Sequence, residues 1–186
     1  MPYAEQITHL RALRLPYSTA ATRATSWRQF QAAYNLGPAL EVDGIPGPLT
    51  TAAVRLSASK GYRPSAHFAL SELDCPHCHR WLVTRAGLEL LERIRARRSP
   101  GGLGIRSAFR CRVYNATVPN SSPTSAHVTG LAWDIIFHNA AGAVINRPAS
   151  QLVGLGCRGI EERLNPRRVT HVDLKPSHPI DFIFHP

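Results

Sequence analysis

The stretch Ser125-Ala126-His127-Val128-Thr129-Gly130-Leu131-Ala132-Trp133-Asp134-Ile135-Ile136 decides how this chain is read. Residues 131–137 read as a strand, whose side chains alternate between two faces. Ala132, Asp134 and Ile136 then share one face, and Leu131, Trp133 and Ile135 the other. A carboxylate set among small and apolar residues on a buried strand is costly unless it is paired or binds a metal. Gly130 permits a sharp turn that brings His127 back over the face of Asp134. Downstream, residues 169–174 read as another strand, on which His171 and Asp173 point the same way, roughly 7 Å apart. If the two strands are neighbours, His127, Asp134 and His171 converge, with Asp173 beside them. Two neutral imidazoles and one carboxylate are the ligands of an open zinc site that keeps a position for water.

Around this stretch the pattern is mixed. Residues 84–98 read as an amphipathic helix with Leu88, Leu90, Leu91 and Ile94 inward. Pro100-Gly101-Gly102 breaks it, and residues 104–110 read as a strand running into a loop. Residues 116–126, rich in Pro, Ser, Thr and Asn, are expected to be irregular and to border a site. Residues 148–155 read as a short helix and 180–184 as a further strand. Helices with antiparallel strands make the class α+β.

The N-terminal third is different. Residues 1–24 suggest a short helix and a loop. Ser26-Trp27-Arg28-Gln29 reads as a capping box opening a helix that carries Trp27, Phe30 and Tyr34 on one face. Asp43-Gly44-Ile45-Pro46-Gly47-Pro48 is a rigid double turn, and Pro48 suits the first position of a helix with Leu49, Ala52, Ala53 and Leu56 inward. Residues 62–68 read as a linker.

The chain has 186 residues, a formal net charge of +10 and 44% hydrophobic residues, enough for a core. The charge favours polyanions, among them anionic wall polymers. Nucleic acid is not expected as a partner, because aromatic residues are not interleaved with the basic ones. No transmembrane helix is expected, and the first residues lack the apolar core of a signal peptide. The cysteines Cys75, Cys78, Cys111 and Cys157 leave three alternatives open. They bind a structural zinc, all four together or three with His77 or His79; they form one or two disulfides; or they stay free.

The pattern S-x-H-x-x-G-x-A-x-D followed by H-V-D resembles the zinc D-alanyl-D-alanine carboxypeptidase family, which includes the L-alanyl-D-glutamate endopeptidases of phage endolysins. Ser107-Ala108-Phe109-Arg110-Cys111, with Tyr114-Asn115 after it, is similar to that family's serine-x-aromatic-arginine motif. Residues 68–75 look like the opening of its catalytic domain in one branch. The likeness spans residues 66–175. Residues 40–54 resemble the peptidoglycan-binding module of wall hydrolases. The resemblance implies a helical module over 1–62 and a zinc peptidase domain over 63–186, with the small antiparallel sheet of the hedgehog/DD-peptidase type.

It implies His127, Asp134 and His171 as ligands of one catalytic Zn2+. Arg110 would face the scissile carbonyl, where one oxyanion donor is worth about 2.7–4 kcal/mol. Ser125, Ser107 and Tyr114 are implied on the substrate side. Known members place an acid or histidine at the positions occupied here by Arg168 and Val169, which cannot accept a proton. Asp173 is the first substitute as general base, with holding His171 as its competing role. Glu161 and Glu162, expected on a loop, are the others. The implied activity is hydrolysis of a peptidoglycan stem or cross-link as D,D-carboxypeptidase or endopeptidase. The protein would be a monomer made in a host cytoplasm, acting on the wall or carried on a virion. The alternative is a zinc-containing wall-binding protein of the same fold without turnover.

Overall fold

The computed structural model describes residues 1–161 and 169–184. In chain order it contains α1 (Tyr3–Ala12), α2 (Ala20–Ala33), α3 (Pro48–Ser59), α4 (Leu70–Leu73), α5 (Arg85–Arg98), β1 (Leu103–Ser107), α6 (Arg112–Thr117), β2 (Ala132–His138), β3 (Val144–Ile145), β4 (Gly159–Glu161), β5 (Val169–Asp173) and β6 (Phe182–Phe184). Short 3-10 turns cover Ala126–Thr129 and Ala149–Leu152. The class is mixed helix and sheet, as the pattern of residues implies.

The sheet runs β1-β2-β5-β4-β6, with β3 pairing onto β2. Every pairing is antiparallel except β4 with β6, which is parallel. The expectation of an antiparallel sheet is thus corrected at one edge. Its core face is an in-register row: Trp133 pairs with Val172, and Val172 with Ile160. All three are fully buried. Truncating such a side chain as Trp133 to alanine costs about 3–5 kcal/mol.

Helix α5 covers that face. Thr84 caps it by accepting the Gly87 N–H at 3.2 Å, and Arg95, Arg97 and Arg98 suit its C-terminal dipole. Leu88, Leu90, Leu91 and Ile94 are buried, as their spacing predicts.

The N-terminal helices join the same hydrophobic cluster, through Leu10, Trp27, Phe30 and Tyr34 on one side and Leu73, Trp81 and Leu88 on the other. Polar ties reinforce this: Trp81 Nε1–H donates to the Leu13 carbonyl at 2.6 Å, and Arg85 Nη1–H to that of Gly37 at 2.8 Å.

Two local expectations are corrected here. Helix α2 begins at Ala20, capped by Thr19 and Thr22. Alanine-rich residues 20–24 carry the helix past the box read at Ser26. Ser26 is buried mid-helix and donates to the Pro16 carbonyl at 2.6 Å. In α3 the inward stripe is Thr50, Ala53, Val54 and Ser57, while Leu49 is 76% exposed and Leu56 40%. The polar members are buried because they are bonded. Thr50 Oγ1 accepts from Gln31 Nε2 at 3.1 Å, and Ser57 Oγ donates to the Arg63 carbonyl at 3.1 Å.

Candidate metal centre

Directly paired residues on neighbouring strands project on the same side of a sheet. Across four strands Ser107 pairs with Asp134, Asp134 with His171, and His171 with Glu161. This row faces away from Trp133, Val172 and Ile160. A register shift between Ile105 and Ser107 marks a bulge in β1 beside it.

His127 arrives from above. It lies on the 3-10 turn Ala126–Thr129, which Gly130 ends in the left-handed region at φ +70°. A side chain there would also collide with the Leu82 carbonyl. Gly130 thus makes the turn expected of it, and Leu131 leads straight into β2.

The three side chains converge. His127 Nε2 lies 3.4 Å from Asp134 Oδ1 and 3.2 Å from His171 Nδ1, and His171 Nδ1 lies 3.0 Å from Asp134 Oδ1. Ligand atoms about 2.0–2.1 Å from a tetrahedral zinc stand about 3.3–3.4 Å apart. The triangle therefore fits a single cation. The outer bonds fit as well. His127 Nδ1–H donates to the Ala108 carbonyl at 2.6 Å, leaving the Nε2 lone pair directed inward. All three residues are at least nine-tenths buried.

Electrostatics follow from this packing. Burial pushes the Asp134 carboxyl up, but the hydrogen bonds and charge of His127 and His171 hold it well below the usual carboxylate range. Burial draws His127 below its ordinary value, against the pull of Asp134. For His171 burial also acts downward, but bonds to Asp134 and Asp173 prevail and raise it to about 9. The ionised Asp134 is thus matched by the charge that it and Asp173 favour on His171.

The other candidate residues divide. Arg110 reaches the centre and lines the cleft, with its guanidinium bonded to two protein groups. Nη2–H donates to Asp134 Oδ2 at 2.5 Å and Nε–H to Ser107 Oγ at 2.8 Å. Ser107 thus braces Arg110. Ser125 opens the 3-10 turn, its Oγ accepting the His127 N–H at 3.4 Å, and it lines the cleft. Tyr114 stands half-buried on α6, outside the described lining of that cleft. Its neighbour Asn115 is buried and donates from Nδ2 to the Ser122 carbonyl at 3.0 Å, pinning the loop that borders the cleft.

Asp173 is 1% exposed and faces His171 from the side opposite the triad, Oδ2 lying 3.5 Å from Nε2. Its Oδ1 accepts the backbone N–H of Gly159 at 3.1 Å and of Lys175 at 2.9 Å. His178 Nδ1 lies 2.9 Å from Oδ2. Burial raises this carboxyl, but His171, the Lys175 N–H and His178 bring it below its ordinary value. His178 has no motif spacing to announce it. What points to it is the need of a buried Asp173 for donors.

Glu161, expected on a loop, lies on β4 and is 7% exposed. Glu162 lies outside the described residues. Glu161 and Asp173 both line one cleft of about 380 Å³, together with Arg110, His127, His171 and Lys175. A second group able to hold a metal ion, Cys75, Cys78 and Cys111, lies apart from this one. Among the described residues no helix is long and apolar enough to cross a membrane.

No protein-family model, curated protein or solved structure matches this chain.

Proposed function

We propose that this chain is a zinc-dependent peptidase of the D-alanyl-D-alanine carboxypeptidase type, cutting a peptide bond in bacterial peptidoglycan, as a phage endolysin does. The observation that carries the reading is the triangle of His127 Nε2, Asp134 Oδ1 and His171 Nδ1, whose two histidines line a cleft that also holds Glu161 and Asp173. The substrate class rests on the motif resemblance of residues 107–115, 125–136 and 171–173, and of the module-like residues 40–54.

A zinc ion held by the triad would polarise the peptide carbonyl and acidify water. The rest falls to the chain. Glu161, across the strand pair from His171, takes the proton of the attacking water and returns it to the leaving amine. Arg110 orients Asp134 by occupying Oδ2, which leaves Oδ1 for the histidines. Asp173, anchored by His178 and two backbone N–H groups, holds the His171 ring from its Nε2 edge. On this reading Asp173 is a positioning residue and Glu161 the general base. Lys175 and the surface charge favour the carboxylates and anionic polymers of a cell wall.

Mass spectrometry of purified peptidoglycan treated with zinc-loaded protein tests this. New amino and carboxyl termini in the stem peptides or cross-links are expected, and their identity names the bond. Intact muropeptides after treatment with fully loaded protein would favour a binding protein without turnover.

A further inference from the structure

The thiol cluster lies away from the triad and is built from two separate segments. The Sγ atoms of Cys75, Cys78 and Cys111 all lie within 4.8 Å of one another, and none of the cysteines forms a disulfide. Residues 75–80 make a tight knuckle. Cys75 N–H donates to the Arg80 carbonyl, and His79 N–H to that of Cys75, both at 2.8 Å. Asp74 pairs with Trp81 at its base. The knuckle turns Cys75 and Cys78 to one side.

The third sulfur comes from the start of α6, which Cys111 caps. Cys111 N–H points at Cys75 Sγ and Tyr114 N–H at Cys111 Sγ, both at 3.4 Å. Backbone N–H groups aimed at sulfur stabilise thiolates and orient them as metal ligands. His77, between the two knuckle cysteines, is exposed, with Nδ1 3.5 Å from Cys111 Sγ, and its ring must turn inward to join the three sulfurs, which cluster without it. Zn–S near 2.3 Å and Zn–N near 2.0–2.1 Å set a tetrahedral S···N edge of about 3.5–3.6 Å. His79 is the poorer fourth ligand, its Nδ1 lying 4.0 Å from Asp74 Oδ2. Cys157 is fully buried and takes no part, its thiol pushed up to about 12 by burial.

We propose that Cys75, Cys78, Cys111 and His77 bind a structural zinc ion that ties the knuckle to the start of α6. Arg110 immediately precedes Cys111 and holds Asp134, so this ion fixes the arm that steadies the triad. The site stands on its own geometry, whether or not the triad works as a peptidase centre.

Cobalt reconstitution of the whole chain reads the two sites separately, because only the cysteine site yields an intense thiolate-to-cobalt charge-transfer band. Wild type is expected to take about two cobalt ions per chain and to show the band. His127→Ala should keep the band and lose one ion. Cys78→Ser should lose the band and one ion, while Cys157→Ser changes neither. His77→Ala should weaken retention against a chelator by about tenfold or more; unchanged retention overturns His77 as fourth ligand. If Cys78→Ser does not fold, the wild-type spectrum still decides. A cobalt-loaded wild type without the band, or an intact mass showing a disulfide among these cysteines, overturns the proposal.

Discussion

Asp173 and His171 lie two residues apart on β5, with Asp173 Oδ2 3.5 Å from His171 Nε2, while Nδ1 of the same ring faces Asp134. The ring is thus held from one edge and presented from the other. A carboxylate in that place fixes tautomer and orientation, and its remaining lone pairs are taken by Gly159, Lys175 and His178.

The two carboxylates should therefore separate by experiment. Asp173→Asn is expected to lower zinc affinity about 10–100-fold, with activity recovering at high zinc. Glu161→Gln is expected to keep full metal content while kcat falls about 10²–10⁴-fold. Metal content and kcat measured on both variants check this. The reverse pattern, with metal kept and turnover lost in Asp173→Asn, would make Asp173 the base.

Gly159 allows the closest approach in this network. A methyl group there would collide with Asp173 Oδ2 and His178 Nδ1. Gly159→Ala should displace Asp173 from its donors and reproduce the weakened zinc binding of Asp173→Asn. Zinc affinity equal to wild type in a folded Gly159→Ala would show that this packing does not set the ligand.

His171 gives the metal-free protein a pH dependence. Its folded value of about 9 lies above the ordinary imidazole value. The stability it contributes is fully present below about pH 6.5 and is lost as pH rises through about 9. A metal must displace that proton, so zinc affinity should climb about tenfold per unit between pH 7 and 9 and then level off. Chelator competition across that range measures it; a flat profile would mean that His171 binds no competing proton.

Much of the centre is legible in the residues themselves. Asp134 stands out because a carboxylate among apolar neighbours on a strand needs a partner. Gly130 announces the turn that returns His127. Glu161 is harder to place, since Gly159-Ile160-Glu161 is too short to show alternation and becomes a strand only by pairing with β5 and β6. Arg110 and Ser107 are visible as a motif, yet their mutual bond and the contact with Asp134 arise from the bulge in β1, which spacing does not reveal. In α3 the apolar pattern misleads because Thr50 and Ser57 bury their hydroxyls in hydrogen bonds.

That exposed apolar surface bears on targeting. Ile45 is 63% exposed and Leu49 76%, in the segment proposed to bind the wall. Because α1 and α2 share the core with Trp81 and Leu88, surface substitution is a cleaner probe than deletion. Ile45→Glu with Leu49→Glu is expected to reduce sedimentation with purified walls while sparing cleavage of a soluble stem peptide. Unchanged wall binding would remove the targeting role from this face.

The most direct measurement is an anomalous difference map at the zinc edge from crystals of zinc-loaded protein. A peak about 2.0–2.2 Å from His127 Nε2, Asp134 Oδ1 and His171 Nδ1 is expected. A zinc-loaded crystal with no density between these atoms, or with His171 ligating through Nε2 beside Asp173, would contradict the account.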